Sequence, residues 1–138
     1  MEDNKIYAVI DTNVLVSGLL ARNGSSAVVK VFEAVMAGRI TPIICDEIIS
    51  EYSEVLKRSK FGFPSCLIDS IVNYFEKNGI QSERIGTTDI LPDPKDMVFY
   101  EITISNSDTF LVTGNIKHFP SKPFIVTPAE MLEILNKQ

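Results

Sequence analysis

The sequence predicts an α/β fold, a three-layer α/β/α sandwich in which helices cover both faces of a parallel sheet. Two observations support this prediction. Short, uninterrupted apolar runs, typical of strands buried on both faces, recur along the chain. Segments with apolar residues at helical spacing lie between them. The 138 residues contain no internal repeat, low-complexity tract or linker, so we expect a single domain over residues 1–138.

The first half of the chain alternates strand and helix. An unbroken apolar run predicts the first strand at residues 6–10, and a second strand is expected at 40–45. Between them, the apolar residues of 25–37 recur at helical spacing, and Gly38 can end that helix in a left-handed conformation. Residues 46–58 form the next predicted helix, with one apolar stripe.

The second half continues the alternation. A helix at 65–77, ended by Asn78-Gly79, leads to a short strand near 81–85. Asp93 as N-cap and Pro94 at the first helical position open a helix that continues to about residue 106. The remaining elements are strands at 109–112 and 124–126, followed by a final helix capped by Thr127-Pro128-Ala129-Glu130.

Composition and charge argue against several classes of protein. No apolar stretch approaches the roughly 20 residues that cross a bilayer, so no membrane span is expected. The first five residues lack the basic and apolar regions of a secretory signal, which predicts a cytoplasmic protein. A net charge of −5 argues against broad, nonspecific binding of nucleic acid through a basic face. It is compatible with an acidic site that binds hard cations.

Cysteine and histidine are too few for several chemistries. Cys45 and Cys66 have neither metal-ligand nor redox spacing, and we expect both to be reduced core residues. With His118 as the single histidine, a zinc site or a Ser-His-Asp triad lacks parts. The first strand is not followed by the Gly-x-Gly-x-x-Gly motif of dinucleotide-binding domains.

Asp11 is the residue around which a site can be built. It follows the first predicted strand, and the carboxyl ends of parallel strands open into the ligand crevice. Three further residues can reach the same rim. Glu51 is directed along the packed face of its helix, Asp96 lies in the first turn of its helix, and Asn115 follows the strand at 109–112.

Such a cluster of oxygen donors predicts a hard metal ion. Carboxylates brought together without basic partners have raised pKa values or bind a cation, and oxygen ligands suit Mg²⁺ or Mn²⁺. A hard metal in an open carboxylate site favours metal-assisted phosphodiester cleavage. Hydroxyls of Thr12 and Thr113 lie at both strand ends, and Lys117 and His118 are placed to contact phosphates.

Each candidate also has a purely structural interpretation. Asp11 and Asn115 are good turn residues, Glu51 can be a solvated helix acid, and Asp96 can be a helix cap. A basic cluster follows the helix at 46–58, and we interpret it mainly as compensation of the helix dipole rather than as an RNA contact. It consists of Lys57, Arg58 and Lys60.

Four motifs in order resemble the PIN-domain ribonucleases over nearly the whole chain. They are Asp11-Thr12-Asn13-Val14, the helical segment 47–56, Asp93-Pro94-Lys95-Asp96, and Leu111-Val112-Thr113-Gly114-Asn115. The resemblance is strongest to the branch described as toxin components of toxin-antitoxin systems. It implies a Rossmann-like sandwich with four or five parallel strands and a Mg²⁺- or Mn²⁺-dependent endoribonuclease site. It also implies a homodimer and an antitoxin partner.

Matched by position, Asp11, Glu51 and Asp96 correspond to the three metal-binding and catalytic acids of that family. Asn115 stands where the family has a fourth acid, and we expect it to act as a metal ligand or to orient water or substrate. The supporting or substrate-binding candidates are Thr12, Asn13, Thr113, Asp93, Lys117 and His118. Two functions follow: an endoribonuclease toxin, or an inactive module that binds RNA or a protein partner.

Overall fold

The chain forms a five-stranded parallel sheet in the order β3-β2-β1-β4-β5, which confirms the predicted α/β class. A computed structural model describes residues 5–137. The first four residues, which bear on the expected absence of a secretory signal, lie outside it. The strands are β1 (Ile6–Ile10), β2 (Ile40–Ile44), β3 (Ile80–Gln81), β4 (Thr109–Val112) and β5 (Ile125–Val126).

Six α-helices in the described residues pack against this sheet. They are α1 (Thr12–Leu20), α2 (Ala27–Met36), α3 (Asp46–Leu56), α4 (Ser65–Asn78), α5 (Met97–Ile104) and α6 (Pro128–Asn136). Helix α2 contacts α1, α6 and β2, whereas α3 contacts both α4 and α5. Aromatic rings join the latter group, because Tyr52 packs against Phe75 and Phe99. Among residues 5–137, no helix is long and apolar enough to cross a membrane.

The central strand β1 sets the position of the site. Ala8 and Val9 are fully buried, because β1 lies in the middle of the sheet and helices cover the faces of the sheet. In the register of β1 with β4, Ile10 lies opposite Val112. The backbone N–H of Asp11 continues this ladder by donating to the Val112 carbonyl at 3.0 Å. The residues that follow β1 and β4 therefore meet at the carboxyl end of the sheet.

Three helix ends follow the predicted sequence signals. Gly38 adopts a φ of +82° just after α2, as expected for a left-handed cap. Asp93 accepts a hydrogen bond from the Lys95 backbone N–H at 3.0 Å. Thr127 and Glu130 form a complete capping box at the start of α6. The local sequence thus marks where these helices begin or end.

Several predicted boundaries are wrong. Helix α1 was not predicted, because its apolar residues form no clear stripe. The expected strand at 81–85 is only Ile80–Gln81. The helix expected to reach residue 106 starts as a 3₁₀ turn at Pro94–Asp96 and ends at Ile104. Tertiary packing overrides local propensity at these places.

The two cysteines differ in environment. Cys45 is buried at the end of β2, as predicted. Cys66 is exposed, so its prediction as a core residue is wrong. It lies in the first turn of α4, whose buried stripe consists of Ile68, Ile71 and Phe75.

Candidate active site

Asp11 is a buried carboxylate with neutral partners. The residue is 5% exposed. Its Oδ2 atom accepts hydrogen bonds from the Thr113 hydroxyl at 2.7 Å and from the Asn13 Nδ2 at 3.0 Å. Among residues 5–137, no side chain donates to Oδ1 and no cationic side chain forms an ion pair with this carboxylate. Its negative charge is therefore held without a compensating positive charge.

The environment of Asp11 raises its pKa from the ordinary value of 3.8 to about 6. Burial is the largest cause, because desolvation penalises the charged form. The negative charge of Asp96 adds to the increase in pKa. The Thr113 hydroxyl and the backbone amides of Thr12 and Asn13 oppose it by stabilising the anion.

Asn13 and Thr113 connect the ends of β1 and β4. The Asn13 Oδ1 accepts a hydrogen bond from the Gly114 N–H at 3.1 Å, while its amide nitrogen donates to Asp11. The Thr113 hydroxyl donates to Asp11 and accepts from the Asn115 N–H at 2.9 Å. These two side chains fix the orientation of the Asp11 carboxylate through neighbouring strands.

Glu51 reaches the site from α3. The adjacent Tyr52 hydroxyl donates to the Ile10 carbonyl at 2.5 Å and anchors α3 to the end of β1. Burial raises the pKa of Glu51, and the negative charges of Glu54 and Asp11 raise it further. The positive charges of Arg58 and Lys95 oppose that increase.

The other acids of α3 are directed away from the site. The Glu47 carboxylate, 60% exposed, forms an ion pair with Arg84 at 2.7 Å. The Glu54 side chain is 72% exposed and lies 3.9 Å from the Arg58 guanidinium. Of these three acids, Glu51 lines the same cavity as Asp11, on the side of α3 that helical periodicity indicates.

Asp96 and His118 form a pair at the rim. The His118 Nδ1 lies 3.2 Å from the Asp96 Oδ2, and the Asp96 side chain is 15% exposed. Burial raises the pKa of Asp96, and the charges of Asp93 and Glu51 act in the same direction. Contact with His118 lowers the pKa of Asp96. Asp93 itself caps the turn that carries Asp96, where it accepts the hydrogen bond from the Lys95 N–H.

Asn115 and Lys117 remain on the exposed surface beside the site. Both belong to the segment around the 3₁₀ turn Ile116–His118. The Asn115 backbone contacts Thr113, but no hydrogen bond joins the Asn115 side chain to Asp11 within the described part of the chain. Thr12, by contrast, is buried, and its hydroxyl has no hydrogen-bond partner among the described residues.

A cavity of about 260 Å³ opens between α1, α3 and the turn after α3. It is lined by Asp11, Thr12, Asn13, Val16, Ser17, Glu51, Val55, Arg58 and Phe61. Arg58 and Phe61 were not predicted as site residues. Helix α3 has no basic residue in its last turn, and only Lys57 occupies its C-cap. Arg58 directly follows this C-cap and also lines the cavity, so the interpretation of the basic cluster as dipole compensation stays a prediction.

Comparison with known families identifies the fold. A family model for the PIN domain matches residues 7–117, from β1 to the turn that follows β4. The chain belongs to the PIN domain family. PIN domains are generally nucleases, and PIN nucleases typically use divalent metals. No significant match was found among curated proteins or among solved structures.

The donors of this PIN domain suit a hard divalent cation in their chemistry. Asp11, Glu51 and Asp96 offer carboxylate oxygens, and the charge of each raises the pKa of another member of the set. The Asp11 Oδ1 and the buried Thr12 hydroxyl are unpartnered by side chains in the described region. Within residues 5–137, however, no three Asp, Glu, His or Cys side chains converge closely enough to hold a metal ion.

Proposed function

We propose that this PIN domain is a metal-dependent endoribonuclease that hydrolyses RNA phosphodiester bonds. The observation that supports it best is the buried, unpaired carboxylate of Asp11. A buried charge without a partner is costly, and a divalent cation would offset that cost. Asp11, Glu51 and Asp96 would move closer together around a bound Mg²⁺ or Mn²⁺, with Asn115 as a further oxygen ligand or as a residue that orients water.

The protein's own residues would orient the carboxylates that hold the metal ion and bind the RNA. A bound divalent metal would activate a water, bind the phosphate and offset the negative charge that develops on the leaving oxygen. The Thr113 and Asn13 side chains both donate to one oxygen of Asp11, and no side chain among residues 5–137 donates to the other. His118 positions Asp96 through its 3.2 Å contact. Thr12 adds a hydroxyl beside the carboxylate, and Asp93 keeps the turn that carries Asp96 in place.

RNA would approach through local positive charge, because the chain as a whole carries a net charge of −5. Arg58 lines the cavity, and Lys117 lies on the exposed turn after Asn115. Both can contact phosphates without reading sequence. His118 is a substrate or structural contact in this scheme rather than a general base.

The four sequence motifs also suggest a biological role. We propose a cytoplasmic, single-domain toxin of a toxin-antitoxin pair, acting as a homodimer and inhibited by a cognate antitoxin protein. The resemblance of the four motifs to the toxin branch supports this assignment.

The second candidate is an inactive PIN domain that binds RNA or a protein partner. Two observations favour it. Asn115 carries no charge where the family has a fourth acid, and no three metal-binding side chains converge among the described residues. A module of this kind would retain RNA affinity in chelator.

The first experiment is cleavage of a mixed pool of labelled single-stranded RNAs with Mn²⁺, Mg²⁺ or EDTA. We expect cutting with either metal and none in EDTA. Asp11→Asn should reduce cutting by more than about a hundredfold, because loss of an outer partner alone costs about 10- to 100-fold. Asp69→Asn, the same change on the exposed face of α4, is the matched control and should cut normally.

The outcomes separate the two candidate functions. Metal-dependent cutting that is lost only in Asp11→Asn supports the nuclease. RNA binding in EDTA without cutting under any condition supports the inactive module. Equal cutting by Asp11→Asn and the native protein contradicts the assignment of the site.

A further inference from the structure

The turn between α3 and α4 carries an aromatic pair beside the cavity. The rings of Phe61 and Phe63 are stacked, with centroids 5.6 Å apart and planes inclined by 16°. Gly62 lies between them with a φ of +67°, a left-handed conformation that glycine adopts readily. Phe63 packs against the hydrophobic core, whereas Phe61 is half-buried and lines the cavity that contains Asp11.

We propose that Phe61 is a stacking platform for a base of single-stranded RNA next to the phosphate that a metal ion at Asp11 would bind. Arg58 and Lys60 would bind the phosphates on either side of that base. This inference rests on the proposed function, because it names a subsite for the same substrate.

The Phe61 ring is suited to a base because its surroundings hold it in place and leave it accessible. Phe63 supports the ring, and the Lys60 Nζ lies 5.2 Å from its centroid. That contact is a cation–π interaction with a flexible side chain and not a packed core contact. The Lys60 ammonium can move to a phosphate when a base approaches. Aromatic rings stack on every base, so this subsite would tolerate many sequences.

The charge of the turn supports a polyanionic ligand. Lys57, Arg58 and Lys60 are exposed within four residues of a chain whose net charge is negative. Arg58 has one long ion pair, 3.9 Å to Glu54, and neither lysine has an ion pair within residues 5–137. Since α3 ends at Leu56, Lys60 lies too far beyond the helix to serve its dipole.

The test uses short single-stranded RNAs that carry the fluorescent base 2-aminopurine at successive positions. Binding is measured by fluorescence in EDTA and again with Ca²⁺. We expect quenching at one or two positions on binding to the native protein. Phe61→Ala should lose the quenching and weaken binding by about 5- to 100-fold, the usual effect of removing one stacked base contact.

Two further variants separate stacking from packing. Phe61→Trp should retain quenching, whereas Phe61→Leu should lose it while keeping an apolar side chain. Phe110→Ala removes a half-buried phenylalanine of β4 away from this cavity and should bind RNA like the native protein. Circular dichroism verifies that each variant is folded.

The cationic contribution is measured by salt dependence. Lys60→Gln should reduce the slope of log affinity against log salt concentration by about 0.7, the value for one phosphate contact on a single strand. Lys30→Gln, which removes an exposed lysine from α2, should leave the slope unchanged.

The measurements distinguish an incorrect stacking platform from an incorrect nuclease assignment. RNA binding without quenching at any position, equal binding by Phe61→Ala, or no binding in either buffer overturns the stacking platform. Quenching that depends on Phe61, in a protein that never cuts RNA with Mn²⁺ or Mg²⁺, supports the platform and contradicts the nuclease.

Discussion

Two buried carboxylates in this protein differ in whether a cationic side chain pairs with them. Glu101, in α5, is 6% exposed and accepts hydrogen bonds from the Arg84 guanidinium at 2.5 Å and the Thr87 N–H at 3.0 Å. Asp11 is equally buried at 5%, but all its donors are neutral: the Thr113 hydroxyl, the Asn13 side-chain amide and the backbone amides of Thr12 and Asn13. The fold supplies a cation to Glu101 and supplies none to Asp11.

This difference separates a structural acid from an acid available for function. The charge of Glu101 is compensated within the chain, and Arg84 also binds Glu47 at 2.7 Å. The charge of Asp11 is stabilised only by dipoles, and its pKa rises to about 6. A buried carboxylate in that condition favours a proton or an external cation.

The largest difference between Asp11 and Glu101 should appear in the stability of Asp11→Asn. Because folding raises the Asp11 pKa from 3.8 to about 6, the native fold loses stability as pH rises through this interval. We expect Asp11→Asn in EDTA to be more stable than the native protein by about 2–3 kcal/mol above about pH 7, with little difference at about pH 3. Urea denaturation at both pH values measures this. A difference that does not change with pH would contradict the unpaired state of Asp11.

Removing the cationic partner of Glu101 should lower the stability of the protein, the opposite of the change expected for Asp11→Asn. Arg84→Met leaves a buried carboxylate without its charged donor and should lower the free energy of unfolding by about 2 kcal/mol. Arg84→Lys should lose less, because an ammonium can still contact one carboxylate. Chemical denaturation provides the values. Unchanged stability in Arg84→Met would show that Glu101 does not depend on its ion pair.

Thr113→Val tests the neutral donor of Asp11. The substitution keeps the shape and removes the hydroxyl, so the pKa of Asp11 should rise further. The free energy of unfolding in EDTA near neutral pH should fall by about 1 kcal/mol. Thr113→Ser retains a hydroxyl and serves as the control in the same denaturation series. If both variants match the native protein, this hydrogen bond does not stabilise the anion.

The smallest expected effect comes from restoring an acid at the rim. Asn115→Asp adds one negative charge beside the site and should tighten Mn²⁺ binding by about fivefold. Isothermal titration calorimetry measures the affinity. Asn73→Asp, an equivalent change on the exposed part of α4, should have no effect. Equal affinity in Asn115→Asp and the native protein would make Asn115 a turn residue only.

Sequence patterns predicted a residue's position best where the hydrophobic period of one strand or helix determines which way its side chain points. The apolar run of β1 placed Asp11 at a strand end, and helical spacing separated Glu51 from Glu47 and Glu54. The hydrogen bond from Thr113 to Asp11 joins residues 102 positions apart and depends on the register of β1 with β4. Such a contact leaves no local signal in the sequence.

Elements defined by long-range packing were predicted poorly. Gly79 illustrates the reason, because a Cβ there would lie 2.5 Å from the Phe75 carbonyl oxygen and within 3.1 Å of Ile44. This close approach brings Ile80 alongside β2 and fixes the start of β3. Phe61 similarly lies in the turn between α3 and α4, outside any helix or strand, so no local period indicates that it lines the cavity.

The edges of the sheet restrict how another protein can bind. The outermost strands, β3 and β5, contain only two residues each. Extending a sheet from its border requires a row of free backbone groups, and strands this short offer few. We therefore expect an inhibitor or a second copy of the chain to recognise side chains on helices and loops. Binding specificity would then change with surface substitutions, without any rearrangement of the strands.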